Sequence, residues 1–228
     1  MPLRPVPFLD EEVCMKTRII LLVTALAVAF GPDVFAQELK EIKLVAPDMS
    51  RSATLMTALS SRKSVREWSP KKLESQDLAD LLWAAGGVNR PQEKKRTFPT
   101  AHNVQDIDLY LFNEDGVYLY DPFANALLPQ FAGDHRAEAG IQEFVATAPA
   151  VLVLVCDLSR YTRGTDASKS RYAAMHAGSV SQNISLFCAG NGMGTVVIGM
   201  VDADALKKKL KLSDAQTVLL SHPVGYLK

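Results

Sequence analysis

The sequence has three cysteines in 228 residues, too few for a disulfide scaffold. It has no excess of either charge: 25 basic side chains stand against 25 acidic ones, which argues against a general nucleic-acid binder. No run of about 20 apolar residues occurs, so no ordinary transmembrane helix is expected. The four histidines, His102, His135, His176 and His222, are scattered and none has metal-pair spacing. Each reads as a surface or internally satisfied imidazole. There is no Gly-x-Gly-x-x-Gly after a strand, no Walker A loop, no Gly-x-Ser-x-Gly elbow and no Cys-x-x-Cys, which removes the common dinucleotide, nucleotide, hydrolase and thiol-redox signatures. Repeats, low-complexity tracts and Ser/Gly linkers are also missing. What is present is an ordinary globular composition, 48% hydrophobic and 22% charged, of a size that suits one domain.

The first 36 residues read as a targeting segment. Lys16 and Arg18 precede the apolar stretch from Ile19 to Phe30. Gly31 and Pro32 end it, and Val34-Phe35-Ala36 supplies small residues for a signal peptidase. The acidic residues Asp10, Glu11 and Glu12 sit awkwardly ahead of such a signal, so translation is expected to start at Met15. The mature domain is then about 37–228, exported to the periplasm or secreted, without stable membrane insertion. No cysteine follows the cleavage site, so no lipid anchor is indicated. Removing residues 1–36 takes away three basic and four acidic groups and leaves 22 and 21, still near neutral.

Strands and helices intermix along the mature chain. Ala53 to Ser61 reads as a short helix. Ser75 is expected to cap a second, with Leu78, Leu81, Leu82 and Ala85 on one face and Gly86-Gly87 as its stop. Residues 88–104 read as a loop. Ile107–Phe112 and Val117–Tyr120, joined by Asn113-Glu114-Asp115-Gly116, read as a β-hairpin. Residues 135–147 read as a helix. The apolar run Ala150 to Cys156 reads as a strand buried on both faces. Residues 168–190 make the longest helix, rich in Ala, Gly and Ser, and suited to a central place or a subunit contact. Val196–Met200 reads as a strand, Asp202–Leu210 as a helix capped by Asp202, and Thr217–Leu220 as a last strand. The class is α+β: a mixed, mainly antiparallel sheet with packed helices. Cys156 and Cys188 read as two separate buried thiols. Asp106 and Asp108, flanking a strand start, read as solvated.

Three polar or glycine-rich segments could carry chemistry. Arg62-Lys63-Ser64-Val65-Arg66 places two guanidiniums, an ammonium and a hydroxyl within five residues, a donor set suited to phosphate. A solvated basic helix end is the alternative, since cations there complement the helix dipole. Pro99-Thr100-Ala101 with His102 and Asn103 forms a turn that a flat ring could approach; an exposed loop is the alternative. Gly192, Gly194 and Gly199 around a short apolar run permit close backbone approach, or cap a helix before a core strand. Lys207, Lys208, Lys209 and Lys211 read as a solvated helix face.

The order of these segments resembles the nitroreductase superfamily of FMN-dependent oxidoreductases, in particular its short branch of SagB/ThcOx-type dehydrogenases. The resemblance runs from about Leu55 to Lys228. It rests on RKSVREWSP at 62–70, LADLLWAAGGVNR at 78–90, RTFPTAHN at 96–103, DLYLFNEDGVYLYDP at 108–122, SQNISLFCAGNGMGTVVIG at 181–199 and PVGYLK at 223–228. It implies a homodimer with FMN at the subunit interface. By position, Arg62, Ser64 and Arg66 would contact the phosphate and the polar edge of the flavin, with Lys63 contributing mainly backbone. Pro99, Thr100, Ala101 and Asn103 would lie beside the isoalloxazine ring, and Val197, Ile198 and Gly199 would face it through backbone groups. Many members finish the phosphate site with a basic C-terminal extension, a part that Lys228 would take here.

No catalytic side chain is expected, because a flavin carries the redox chemistry and the protein orients it. The expected activity is electron transfer to or from a small organic substrate such as a nitroaromatic or quinone. NAD(P)H is the donor such enzymes use, which conflicts with export. Either another donor reduces the flavin, or the enzyme oxidises an organic substrate. A second reading stays open: an exported flavin- or ligand-binding domain without turnover.

Overall fold

The computed structural model describes residues 38–228; the targeting segment and the Met15 start lie outside the described residues. The centre is a seven-stranded sheet in the order β1-β6-β5-β4-β7-β9-β8, antiparallel at every pairing. Its strands are β1 (Ile42–Lys43), β4 (Ile107–Phe112), β5 (Gly116–Asp121), β6 (Ala126–Ala132), β7 (Ala150–Asp157), β8 (Met193–Thr195) and β9 (Gln216–Tyr226). A small separate pair, β2 (Val88–Arg90) and β3 (Lys95–Arg96), occupies part of what reads as a loop at 88–104.

β7 explains the two-sided core. Strand side chains alternate between faces. Leu152, Leu154 and Cys156 therefore enter one apolar cluster, with α2 (Ser75–Gly86) and α3 (Asp166–Gly190), while Val151, Val153 and Val155 enter a second, with Trp68, Val145 and Leu206. Both faces are covered, as the continuous apolar run implies. Leu152 and Leu154 are fully buried, worth about 1.5–3 kcal/mol each. Cys156 and Cys188 are free and buried, and desolvation pushes the Cys156 thiol up to about 12.

The short helix α1 (Leu55–Ser61) begins behind Thr54, whose hydroxyl accepts from the Thr57 N–H. Asp202 caps α4 (Ala203–Lys209) as its spacing implies, accepting from the Ala205 N–H at 3.0 Å.

Other parts of the sequence reading also differ. Ser75 is the first residue of α2 and not its cap, a position held by Glu74 with no side-chain bond. Residues 135–147 form two 3-10 turns, Arg136–Ala139 and Glu143–Thr147, because Gly140 between them is extended and packs against Val145. β6 escapes a propensity reading because Pro129 sits in its middle; proline is tolerated there since β1 pairs only with Ala126 and Leu127 on that edge. The strand expected at 196–200 is displaced to Met193–Thr195, and beyond it only Ile198 pairs, with Ser221. The register is continuous across the gap, and Pro223, with no N–H to give the ladder, falls opposite Val196. Lastly, Asp106 is not solvated but completely buried.

Candidate functional site

The cationic segment is seated on the edge strand β8. The Val65 N–H donates to the Thr195 carbonyl at 2.9 Å, and Ser64 bridges Thr195 in parallel sense. Two further contacts lock the seat. Trp68 Nε1 donates to the Gly194 carbonyl at 2.8 Å, and the Val65 side chain packs where a Cβ on Gly194 would stand, at 2.7 Å. Gly194 is thus required by close approach. On this seat Arg62, Lys63, Ser64 and Arg66 are all exposed. Arg62, Lys63 and Arg66 pair with no carboxylate among the described residues. A recess of about 300 Å³ beside them is lined by Ser61, Lys63, Val65, Ser185, Thr195 and Leu227.

Val197–Gly199 continue from the same strand. Ile198 is buried, and both its N–H and its carbonyl are bonded to Ser221. Its flanks, Val197 and Gly199, are exposed, and a Cβ on Gly199 would meet nothing within 4 Å. Open space at Gly199 leaves room for close approach by a planar ring, although its carbonyl accepts from the Val201 N–H at 3.2 Å. Lys228 lies near, but its ammonium is bonded to Glu67 at 3.0 Å in an exposed pair.

Pro99–Asn103 lies elsewhere in the fold. The Ala101 N–H donates to His176 Nε2 at 2.8 Å, whereas Ser61, next to the cationic segment, donates through Oγ to the Ala189 carbonyl at 3.2 Å. His176 and Ala189 are thirteen residues apart on α3, roughly 20 Å along its axis. The structure therefore brings Arg62–Arg66 and Val197–Gly199 together along one edge and holds Pro99–Asn103 away from them.

Two buried histidines matter that composition did not single out. His222 is fully buried, with Nδ1 3.2 Å from Thr195 Oγ1 and Nε2 2.8 Å from Ser181 Oγ; burial pushes it down to about 4. His176 joins a network with Asp106 and Tyr161. Arg96, also buried, spends its guanidinium on the Gly86 and Ile107 carbonyls and stacks over Phe98; desolvation lowers it to about 10. A larger recess of about 470 Å³ lies between α1, α2 and α3. Its one arginine, Arg51, is spent on Asp77 and Asp80 at 2.6 and 2.5 Å.

A sequence model of the nitroreductase family matches residues 59–226, nearly all of the described fold. The chain belongs to the nitroreductase family. That family is one of FMN-dependent oxidoreductases. A nitroreductase-family protein of Methanocaldococcus jannaschii is 32% identical over 195 residues, 81% of this chain and 96% of the relative. The crystal structure of another, from Ralstonia eutropha, superposes with a TM-score of 0.79 at 34% identity, covering 83% of this chain and 90% of that one. The fold extends to the Escherichia coli microcin synthetase complex, with a TM-score of 0.62 at 18% identity over 97% and 95% of the two chains. The α+β nitroreductase-like fold expected from the sequence is the fold observed.

Among the described residues no helix is long and apolar enough to cross a membrane.

Proposed function

We propose that this nitroreductase-family protein is an FMN-dependent oxidoreductase that moves electrons between a donor and a small organic acceptor, a nitroaromatic, quinone or similar molecule. The observation that carries the reading is the exposed cationic segment, seated on β8 beside the exposed Val197 and the open space at Gly199. The donor set fits FMN: forked guanidiniums and a hydroxyl for the phosphate, and glycine-lined backbone for a flat ring. When bound, FMN supplies the redox chemistry.

The chain's own residues bind and orient. Arg62 and Arg66 neutralise the phosphate, and Ser64 adds a neutral donor. Lys63 keeps the recess beside them positive. The main chain at Val197 and Gly199 lets the ring approach, while Ile198, tied at both ends to Ser221, holds that main chain still. Lys228 reaches the same edge, and its exposed pair with Glu67 is weak enough to exchange for phosphate.

The cationic segment and Pro99–Asn103 are anchored on α3 at points roughly 20 Å apart, which supports a site built from two copies. Pro99, Thr100, Ala101 and Asn103 of one protomer then flank the ring held by its partner. α3 suits that contact: Ala174, Met175 and Gly178 are exposed on it, and Gly178 leaves room for another backbone. The reading also takes the domain to be exported, on the strength of the signal-like segment ahead of it. Export removes free NAD(P)H from reach, and so favours another donor or oxidation of an organic substrate.

The test is the visible spectrum of purified residues 37–228 before and after anaerobic NADH or NADPH. A flavin spectrum that bleaches makes the protein an NAD(P)H-competent reductase. One that persists, yet bleaches with dithionite, assigns another donor. A colourless protein that fails to bind added FMN refutes the proposal.

A further inference from the structure

The segment proposed to flank the flavin turns through the left-handed region at three residues. His102, Asn103 and Gln105 have φ of 55°, 55° and 49°. Side chains with a Cβ adopt that left-handed region at a cost, and such strain persists only where the surroundings over-determine it. Much of the surrounding support is exposed: Arg163 Nη2 meets His102 Nδ1 at 2.7 Å, and Gln105 Nε2 donates to the Lys94 carbonyl at 2.7 Å. The buried support is different in kind. Helix α3 brings the imidazole of His176, 5% exposed, beneath Ala101. Its Nε2 lies 2.8 Å from the Ala101 nitrogen, and its Nδ1 lies 2.7 Å from Oδ1 of the fully buried Asp106. The other Asp106 oxygen takes the Tyr161 hydroxyl at 2.9 Å.

Hydrogen-bond chemistry at the two ring nitrogens selects one state. A backbone N–H only donates, so Nε2 must present its lone pair to Ala101. A carboxylate only accepts, so Nδ1 must carry the proton. Tyr161 holds the carboxylate, and the Tyr172 ring, 6.2 Å away and tilted by 14°, stacks on the imidazole. Ala101 and Asp106 select this tautomer, and the stacked Tyr172 fixes the ring plane. We infer that His176 is a positioning residue: fixed in its Nδ1–H form by Asp106 and Tyr161, it pins the Ala101 main chain and so sets where Pro99 and Thr100 meet the cofactor. The inference rests on the reading of Pro99–Asn103 as a flavin-flanking segment. It adds an anchor seventy-five residues beyond Ala101, on the helix proposed to form the subunit contact.

The experiment has two parts. Two-bond ¹H–¹⁵N spectra of histidine-labelled protein, with and without FMN, should show His176 protonated on Nδ1, and the Ala101 amide should exchange slowly. An Nε2-protonated ring, or a fast-exchanging Ala101, overturns the anchor whether or not flavin binds. The second part compares His176→Gln, whose Oε1 can still accept from Ala101, with His176→Leu, which cannot. The Gln variant should keep kcat and the visible circular dichroism of bound FMN within about threefold of wild type, while the Leu variant loses about tenfold or more in kcat. FMN affinity, set by Arg62 and Arg66, should change by less than about threefold in both. Equal loss in the two variants would mean packing alone and would overturn the proposal. If the Leu variant does not fold, the tautomer and the Gln variant decide. A wild-type protein that binds no FMN defeats the flavin reading alone, since the tautomer and the exchange rate are read without it.

Discussion

Acid should loosen this fold at one identifiable place. His222 is fully buried between β8 and α3, bonded to the Thr195 and Ser181 hydroxyls, and burial lowers it from an ordinary 6.5 to about 4. Between those values the unfolded chain takes up a proton that the folded chain refuses. Stability is therefore complete above pH 6.5 and is lost as pH falls toward 4. Two and a half pH units correspond to about 3 kcal/mol, most of which is gone by pH 4.5. For a domain of this length that is about 5–10 °C in Tm. The perturbation is His222→Gln, which keeps an acceptor and a donor but does not titrate. The assay is urea unfolding of FMN-free wild type and variant at pH 7.5, 6.5, 5.5 and 4.5, so that ligand linkage does not enter. The two stabilities should converge as pH falls, because other titrating groups affect both proteins alike. Parallel curves from pH 7.5 to 4.5 would refute the reasoning. Since Thr195 also seats the cationic segment, FMN release followed by flavin fluorescence should appear only near and below pH 4, where the folded imidazole itself takes up a proton.

Three further outcomes are expected. Replacing Arg62 and Arg66 together by Ala should weaken FMN about a hundredfold or more, because two charge-assisted contacts are lost; a double variant that purifies with full flavin would refute the site. Gly194→Ala removes no charge, yet its Cβ would stand 2.7 Å from Val65, so FMN affinity by titration should fall about tenfold if the seat on β8 matters. Trp68→Phe strips the Gly194 carbonyl of its 2.8 Å partner and should cost about 1–3 kcal/mol in urea unfolding, and an unchanged midpoint would show that the contact is not needed.

Much of this architecture was legible because the relevant signals are local. The run from Ala150 to Cys156 has no polar interruption, and it became the strand buried on both faces. The hairpin turn at 113–116 and the Asp202 cap act within a few residues. The cationic segment was equally visible as composition, but its seat was not: the partners of Ser64 and Val65 lie on a strand some 130 positions later. Asp106 looked solvated for the same reason. Its partner His176 is seventy residues away, and only the packing of α3 on the sheet brings them within 2.7 Å. The last strand reads as four residues and runs for eleven, because His222 and Pro223 break the apolar pattern while the pairing with β7 continues to Val224. Propensity marks where strands are easy to form, whereas neighbouring strands decide where they stop.

The seat of the cationic segment has a second consequence, for solubility. β8 is the last strand of its sheet, and an outermost strand with free N–H and carbonyl groups is a template for another chain's strand. Here residues 64 and 65 occupy that template, and two neighbouring arginines surround it with like charge. The cover protects more than the cofactor site. A protein in which Gly194 carries a side chain should lift residues 64 and 65, expose the border of β8 and self-associate through it, so its light scattering would rise where that of the wild type stays flat.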